Sequence, residues 1–427
     1  MLLKFFPILA VSVHFAAALW PIPQHVATGK EILEIGKALD VAYNNGTLRW
    51  DGQAVDSRDL SRANIVQGGI ARAYNAIMER GFVPHMLNPP GSDFEPSRGQ
   101  IKGQIKTLTI SDLGKNGSEI YSMTVGDRNA VINAESTVAV LRALETFTQL
   151  FNQHSSGEYW YTNLAPIAIQ DGPIFPHRGL IFDVSREWYS VDEVKHTIDA
   201  LAMAKMNKLH LVATNTQSWQ VEIPKFPELT EKGTFYTGQY YSVDDIHDLY
   251  TYGVSRGVEI IMEIDMPGHS NIQHIYPELG VAYMAKPYAK YCSEPPCGSF
   301  RLNSTRVDEF LEDMFEDLLP RISPFATHFH TGGDEYKANN CALDPDIQSG
   351  DTAIVQPLMQ KFVQHAHALI RKRGLTPIVW EETVNEWNVT LPKDTIVQSW
   401  RGSATPALAK AGYKVIDSSS SYYVCIS

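Results

Sequence analysis

The chain has 427 residues, and 44% of them are hydrophobic, which is enough apolar material for the cores of one small and one large domain. Its formal net charge is -12, and acidic and basic residues are interspersed without a basic block. This pattern argues against nucleic acid or an anionic membrane as the main partner. A small uncharged substrate fits the composition better.

The first 18 residues have the layout of a secretory signal peptide. Lys4 precedes an apolar run that ends in the small residues Ala16 to Ala18, so cleavage is expected after Ala18 and the mature chain is expected to begin at Leu19. A membrane anchor is the alternative, but the apolar run is shorter than the roughly 20 residues that a span requires. The sequence therefore predicts a secreted, extracellular protein.

Export gives a meaning to the sequons and the cysteines. Asn-x-Ser/Thr tripeptides are candidate glycosylation sites in an exported protein, and they occur at Asn45, Asn116, Asn303 and Asn388. The four cysteines, which lack paired C-x-x-C spacing, are Cys292, Cys297, Cys341 and Cys425. We therefore expect disulfides rather than metal ligands, and neither a metal nor another cofactor.

Residues 19–170 are predicted to form a small α+β domain. Apolar residues with helical spacing and runs of strand-like alternation follow one another in this region. The helices are expected over 30–39, 62–82 and 136–153, and the strands over 105–113 and 119–125. A segment rich in turn-forming residues follows, which places the domain boundary near residue 170.

Residues 171–427 alternate regularly between strand and helix patterns. The predicted strands cover 178–185, 207–214, 257–265, 325–331, 376–382, 394–400 and 412–419, with helices over 190–206, 242–256, 305–322 and 355–374. Repeated β-then-α units imply a parallel sheet, and this many in succession favour a (β/α)8 TIM barrel over an open sheet. Only about seven strands are found and the eighth is missing, so the barrel is expected to be incomplete.

Polar and aromatic residues stand at the ends of most of these strands. They are Arg186, Asn215, Asp265, His269, Asp334, Glu335, the run 380–382 and Trp400. The carboxyl ends of barrel strands converge on one face, which carries the active site. Residues far apart in the sequence are therefore expected to share a pocket.

Two of these residues, Asp334 and Glu335, are adjacent carboxylates in the run HTGGDEY. Consecutive side chains of a regular strand point to opposite faces, so the two can cooperate only if the backbone leaves strand geometry, which Gly332 and Gly333 permit. One carboxyl held in an apolar pocket would keep a raised pKa and donate a proton, while its ionised neighbour orients a substrate. The alternative is that the two acids are ordinary polar residues of a turn and have no catalytic role.

Three aromatic residues, Trp380, Trp400 and Tyr423, lie at or near strand ends. Flat rings stack well on the apolar faces of sugars, although a Trp on a strand more often fills a core. Three rings at one face, with acids and Arg178 nearby, favour a sugar pocket.

Several longer segments point to a family. They are PHRGLIFDVSREWYSVDEVKHTIDALAMAKMNKLHL, TQSWQVEIPKFPELTEKGTF, MPGHS, HTGGDE and, nearer the amino end, AESTVAVLRALETFTQLF. Together they closely resemble glycoside hydrolase family 20, the β-N-acetylhexosaminidases, and ALWPIPQ with EPPCG resembles its secreted fungal members. The resemblance covers most of the mature chain and implies a TIM-barrel catalytic domain preceded by a zincin-like α+β domain.

The resemblance also implies a reaction, the substrate-assisted retaining hydrolysis of terminal non-reducing β-linked N-acetylglucosamine or N-acetylgalactosamine. Glu335 would be the general acid and base, and Asp334 would orient the 2-acetamido group that attacks the anomeric carbon. Other expected substrate contacts are Arg178, Trp380, Trp400 and Tyr423. The expected substrates are chito-oligosaccharides or glycoconjugate glycans, and full-length members of the family are often homodimers.

The chain departs from the family pattern at two places, while its cysteines fit that pattern in part. Asn215 stands where an Asp normally supports the active-site His, here His269, and the loss of that charge predicts an altered pH profile or a lower rate. Nothing after Tyr423 matches the family's eighth strand, which favours a truncated product. By the family pattern Cys297 would pair with Cys341, which leaves Cys292 without an obvious partner.

Two other interpretations stay open. The chain could be a non-catalytic carbohydrate-binding relative, which Asn215 and the short carboxyl end favour, or an inactive truncated fragment. The intact Arg178, His269, Asp334 and Glu335 favour the enzyme.

Overall fold

The computed structural model describes residues 19–419. The predicted signal peptide, Tyr423 and Cys425 lie outside the described residues. No helix within the described range is both long enough and apolar enough to cross a membrane.

The chain divides into two compact units. Among the described residues, the first comprises 19–176 with Ala202–Lys205 and Ser255–Gly257, and the second comprises His177–Leu201, Met206–Val254 and 258–419.

The first unit is a seven-stranded mixed sheet with two helices. Its strands, in the spatial order β2-β1-β3-β5-β4-β7-β6 with a further pairing of β1 to β7, are β1 (His25–Tyr43), β2 (Gly46–Leu48), β3 (Ile101–Asp112), β4 (Tyr121–Val125), β5 (Asn129–Ala134), β6 (Asn152–Gln153) and β7 (Trp160–Asp171). The helices are α1 (Arg62–Tyr74), which continues as a π-helical turn over Asn75–Arg80, and α2 (Thr137–Thr148). Short 3-10 turns cover His85–Leu87 and Arg98–Gln100.

This unit differs from the sequence prediction in several parts: strands β2, β5 and β6 were not predicted, and two longer segments also differ. The segment 30–39 is not a helix but the centre of β1, where Leu33 and Ile35 are fully buried and Leu39 and Val41 continue the alternation. That period of two extends beyond the ten residues on which the helix was predicted. Strand β7 was missed because turn-forming residues on both sides hide its alternation.

The second unit carries seven parallel strands within the described residues. They are β8 (Gly179–Asp183), β9 (Lys208–Thr214), β10 (Glu259–Ile264), β13 (His328–His330), β14 (Thr376–Trp380), β15 (Ile396–Ser399) and β16 (Lys414–Asp417), and the short hairpin β11 (Gly280–Val281) with β12 (Ser299–Phe300) lies apart from them. Each strand of the main sheet pairs with the next one along the chain. This is the winding of a TIM-type barrel rather than of a doubly wound open sheet, and all seven predicted strands are confirmed.

Helices separate the strands of this sheet. They are α3 (Val191–Met203), α4 (Glu228–Gly233), α5 (Val243–Val254), α6 (Ile272–Ile275), α7 (Thr305–Ile322), α8 (Thr352–Lys372), α9 (Glu382–Asn385) and α10 (Ala404–Lys410). In α7 the buried side chains recur at the spacing of one helical face, at 307, 310, 311, 314, 315, 318, 319 and 322. The four predicted helices correspond to α3, α5, α7 and α8.

The insertions of this unit follow the carboxyl ends of the strands. The short helix α4 comes after β9, the segment with α6, β11 and β12 comes after β10, and a 3-10 turn at Ala338–Leu343 comes after β13. Parallel strands have their carboxyl ends at one edge, so these loops and the residues that end each strand surround a common site.

Candidate active site

The run after β13 leaves strand geometry at its two glycines. Gly332 has φ 64° and Gly333 has φ 97°, and Glu335 is also in the left-handed region with φ 51°. A Cβ on Gly332 would lie 1.7 Å from Oδ1 of Asp265, and one on Gly333 would lie 2.5 Å from Oγ1 of Thr383. Both positions therefore require glycine for space as well as for conformation, and the predicted departure of the backbone is confirmed.

This turn brings the adjacent carboxylates to one imidazole. Nε2 of His269 lies 3.8 Å from Oδ2 of Asp334 and 3.5 Å from Oε2 of Glu335. His269 follows β10, is buried, and has a positive φ of 46°. Two non-glycine residues in this rare backbone region, facing one another, are typical of a constrained functional site.

The ionisation of His269 and Glu335 is coupled through this contact. Burial alone would lower the pKa of His269, but the charge of Asp334 and the hydrogen bond with Glu335 raise it above its ordinary value. The same hydrogen bond lowers the pKa of Glu335 against the opposing effect of burial. The expected raised pKa of the proton donor is therefore not found at Glu335, because the hydrogen bond and the charge of His269 lower this pKa more than burial raises it.

Raised pKa values occur at two neighbouring carboxyls instead. Burial and then the charge of Asp334 raise the pKa of Asp265 well above its ordinary value, and the same two causes raise the pKa of Glu382 to about 7. Oδ1 of Asp334 is itself buried and accepts no hydrogen bond from an N–H or hydroxyl group of the described residues. Four carboxyl groups thus crowd this end of the sheet, and Coulomb repulsion keeps them from all ionising together.

The structure corrects the arginine prediction. Arg178 precedes β8, and its backbone exchanges hydrogen bonds with Asn207 and Lys208, which lie at the amino end of β9. It is therefore at the edge of the sheet opposite to Glu335. A side chain that contacts substrate must come from the other end of the strand.

Arg186 is the arginine that the structure places at the carboxyl end. It follows β8, forms ion pairs with Asp183 and, at 2.6 Å, with Glu294, and its charge acts on the pKa of His269. The sequence analysis had already noted Arg186 at the end of a strand. The direction of β8 distinguishes the two arginines, because Arg178 precedes the strand and Arg186 follows it.

Asn215 does not support His269 in the predicted way. Its Oδ1 accepts hydrogen bonds from the backbone N–H of Thr216 at 2.7 Å and from the Thr216 hydroxyl at 3.1 Å. The described residues show no hydrogen bond between Asn215 and His269. Thr216, rather than Asn215, lines the small cavity next to His269 and Glu335.

Trp380 is buried in the interior of the sheet. Its Nε1 donates a hydrogen bond of 3.1 Å to Oε1 of Glu263, and its ring packs against His210 and His330. This is the core-filling alternative for a Trp on a strand, and contact of Trp380 with a ligand stays a prediction.

The neighbours of Trp380 form a charged cluster in the interior. Glu263 also forms a hydrogen bond with Nε2 of His210. Nδ1 of His330 lies 3.2 Å from the same carboxylate, but it accepts the backbone N–H of Gly332 at 2.9 Å. One ligating atom each of His210, Glu263 and His330 lies within 4.8 Å of the others, a spacing that a metal ion could use. The hydrogen bonds already account for the cluster, and we assign no metal to it.

Trp400 is half-buried directly after β15, as predicted. Its Nε1 donates a hydrogen bond of 2.9 Å to Oε1 of Glu382, and the guanidinium of Arg401 lies 4.8 Å from its ring centroid. Arg401 also donates to the same oxygen of Glu382 at 2.7 Å. Glu382, to which the sequence gave no role, therefore fixes the edge of the Trp400 ring.

The disulfide prediction is wrong. Cys297 pairs with Cys292, with 5.2 Å between their Cα atoms, while Cys341 is a buried free thiol whose Sγ lies 3.2 Å from the Tyr336 hydroxyl. The bond closes a loop of six residues, because the two cysteines are five positions apart in the sequence. This loop reaches the site, because Ser293 hydrogen-bonds Glu335 and Glu294 pairs with Arg186.

The four sequon asparagines are all exposed: Asn45, Asn116, Asn303 and Asn388. Glycosylation at these positions stays a prediction.

Comparisons with known proteins place this geometry in a family. Residues 175–426 match the catalytic domain of glycosyl hydrolase family 20, and residues 19–150 match the domain described as beta-acetyl hexosaminidase like. A β-hexosaminidase of Arthroderma benhamiae is 34% identical over 448 aligned residues, which cover 93% of this chain and 74% of the relative. A chitooligosaccharidolytic β-N-acetylglucosaminidase of Bombyx mori is 30% identical over 70% of this chain and 53% of its own length.

Solved structures agree in fold. The chitobiase of Flavobacterium johnsoniae superposes with a TM-score of 0.73 at 28% identity, over 93% of this chain and 58% of that chain. An exo-β-N-acetylglucosaminidase of Vibrio harveyi gives a TM-score of 0.72 at 24% identity, over 93% of this chain and 60% of that chain. The chain thus spans between about half and three quarters of the length of these relatives. It belongs to glycosyl hydrolase family 20.

Proposed function

We propose that the chain hydrolyses terminal non-reducing β-linked N-acetylglucosamine or N-acetylgalactosamine by substrate-assisted retaining catalysis. One observation carries the proposal: Asp334 and Glu335, although consecutive, both lie within 4 Å of Nε2 of His269 and both stay partly exposed, at 19% and 23% of their side chains. Two carboxylates are therefore available on one side of a constrained turn. Three of the relatives, a β-hexosaminidase, a chitooligosaccharidolytic β-N-acetylglucosaminidase and a chitobiase, support the same substrate class.

In the first step, the 2-acetamido oxygen of the substrate attacks the anomeric carbon as the glycosidic bond breaks. Glu335 gives its proton to the departing oxygen, and Asp334 accepts the acetamido N–H, so it orients the nucleophile and balances the positive charge of the oxazolinium intermediate. In the second step, water attacks the same carbon, Glu335 takes the water's proton, and the acetamido group is released. Two inversions give net retention.

The low pKa of Glu335 fits this scheme through His269. The imidazole holds the proton of the pair while water reaches the site, because the pKa of His269 is raised and that of Glu335 is lowered. A bound sugar displaces water, and a lower dielectric disfavours an imidazolium beside a carboxylate relative to the neutral pair. Substrate binding would therefore move the proton to Glu335, where the first step requires it.

Arg186 is the proposed ligand of the sugar hydroxyls. Its guanidinium is 41% exposed beside Glu294, and an arginine with a carboxylate can donate to one hydroxyl and accept from its neighbour. Trp400, held at its edge by Glu382, is the proposed stacking surface. Chito-oligosaccharides and glycoconjugate glycans are the proposed substrates, and secretion is proposed from the amino-terminal sequence.

The purified chain should hydrolyse a chromogenic β-N-acetylglucosaminide. Glu335→Gln should lower kcat by about 10²- to 10⁴-fold, the usual contribution of general acid–base catalysis. Glu309→Gln, the same change at an exposed position of α7, is the matched control and should leave kcat unchanged.

The non-catalytic alternative gives a different pair of results. Calorimetric binding of N-acetylglucosamine without any turnover of the chromogenic substrate would identify a carbohydrate-binding protein. A folded chain that neither binds the sugar nor hydrolyses the chromogenic substrate would contradict both functions.

A further inference from the structure

A third carboxyl lies directly beneath the catalytic turn. Asp265 follows β10 and is only 3% exposed, and its Oδ1 accepts the backbone N–H of Gly333 at 2.9 Å. The same oxygen is the atom that a Cβ on Gly332 would strike. The glycine pair is therefore folded against the Asp265 carboxyl, which is shielded from solvent.

Asp265 is also in direct contact with Asp334. Ligating atoms of Asp265, His269 and Asp334 lie within 4.8 Å of one another, which brings the two aspartates close enough to share a proton, and a side-chain hydrogen bond with Asp334 is among the causes that raise the pKa of Asp265. Two ionised carboxylates have no proton to share, so a hydrogen bond between them requires that one be a carboxylic acid. Oδ1 of Asp334 is buried, and no N–H or hydroxyl group of the described residues donates a hydrogen bond to it.

Charge and burial decide which aspartate holds the proton. Asp334 is 19% exposed and lies 3.8 Å from Nε2 of His269, so both water and a basic group reach it. Asp265 is only 3% exposed, and the charges of Asp334 and Glu263 act against its ionised form. The proton therefore resides on Asp265.

We propose that Asp265 is a carboxylic acid that donates its O–H to Asp334, and that it is a positioning residue which fixes the Asp334 carboxylate for the acetamido group. The inference rests on the proposed function, in which Asp334 orients that group. Asp265 accepts from Gly333 with one oxygen and donates to Asp334 with the other, so it ties the backbone of the turn to the side chain that the turn carries.

The electrostatics of the site agree with this assignment. Burial, the charge of Asp334 and the charge of Glu263 raise the pKa of Asp265 well above its ordinary value. A buried acid that stays neutral can serve as a hydrogen-bond donor at neutral pH.

The inference makes asparagine the natural substitute. In Asp265→Asn the amide oxygen can accept from Gly333 and the amide N–H can donate to Asp334, so the variant should keep most of kcat. Asp265→Leu has a similar size but neither group, and it should lower kcat by about 10²-fold, the loss that follows a small misplacement of a reacting group. Because the nucleophile is bound but wrongly oriented, kcat should fall more than KM rises.

Infrared spectroscopy tests whether Asp265 is protonated, and it requires neither a measurement of turnover nor the leucine variant. At about pH 8.5, above the pKa of about 7 of Glu382, the wild-type protein should show the C=O stretch of a protonated carboxylic acid, and Asp265→Asn should lack it. Melting temperatures establish that each variant is folded. A folded Asp265→Asn as inactive as Asp265→Leu, or an acid band that persists in Asp265→Asn, would overturn the inference.

These results are separable from a failure of the proposed function. An inactive wild-type chain that nevertheless shows the Asp265 band would contradict hydrolysis and leave the protonated pair in place. An active wild-type chain without the band would contradict the protonated pair alone.

Discussion

Nε2 of His269 lies 3.5 Å from Oε2 of Glu335, and this contact raises the pKa of the imidazole while it lowers the pKa of the carboxyl. The charge of each residue therefore depends on the other. Stability, pH dependence and the proton supply for the proposed reaction all follow from this pair.

The pair predicts a pH window of stabilisation. His269, with its raised pKa, stabilises the fold fully below its ordinary pKa of 6.5 and loses that effect as the pH rises through the folded value. Glu335, with its lowered pKa, stabilises the fold above 4.5 and loses that effect as the pH falls through the folded value. Both contributions are present between these limits.

His269→Gln should therefore destabilise the protein more at about pH 5.5 than at about pH 8.5, where the imidazole is losing its charge. Melting temperatures of the variant and the wild type at the two pH values measure the difference. An equal decrease in melting temperature at both pH values would show that the substitution removes packing contacts and not a charge interaction.

Arg186 and Arg178 should respond differently to substitution. Arg186→Met should lower kcat/KM by about 10- to 100-fold, because a hydrogen bond to a charged group is worth about 1.5–3 kcal/mol. Arg178→Met, the same change at the other end of β8, should leave the kinetic constants near those of the wild type. A loss at position 178 with none at 186 would restore the original prediction from the sequence.

Glu382 should make the protein less stable as the pH rises. Its folded pKa of about 7 is above the ordinary 4.5, so the unfolded chain gives up this proton more readily and the folded state loses stability between these values. Glu382→Gln cannot ionise, so its melting temperature relative to the wild type should increase from about pH 5 to about pH 8.5.

Glu386→Gln is the control for Glu382→Gln. Glu386 also pairs with Arg401, but its side chain is 46% exposed. Its relative melting temperature should change little over the same range, and a parallel change in both variants would assign the effect to Arg401 instead.

The cysteine pairing can be mapped directly. Proteolysis without reduction, followed by mass spectrometry, should find Cys292 linked to Cys297, and Cys341 should react with a thiol reagent only after unfolding, because it is buried. Cys341→Ser should therefore keep the loop intact. A peptide that links Cys297 to Cys341 would contradict the structure and support the pairing inferred from the family.

The barrel was predictable because each of its strands is short, β-branched and separated by a helix with a clear apolar face, so local pattern and global fold agree. Strand β1 was not predictable in this way, because its alternating buried residues run from Leu33 to Tyr43, beyond the segment 30–39 whose local pattern is also compatible with a helix. Its identity depends on pairing with β3 and β7, which are distant in the sequence.

The site was predictable in part for a similar reason. Glycines and adjacent acids mark the turn at residues 332–335, and the order of strands brings His269 to it. Which of two arginines faces the site depends on strand direction, and which cysteines pair depends on loop geometry. Neither can be read from local composition. The raised pKa values of Asp265 and Glu382 cannot be read from it either, because they arise mainly from burial and from the charge of Asp334.

The most direct test of the account varies the nucleophile that the substrate carries. Chromogenic glucosaminides with an N-acetyl, N-fluoroacetyl, N-difluoroacetyl or N-trifluoroacetyl group differ mainly in the electron density of the carbonyl oxygen that attacks the anomeric carbon. The account predicts that kcat/KM falls steeply along this series, with retention of the anomeric configuration in the product. Rates that stay level along the series, or a product of inverted configuration, would contradict it.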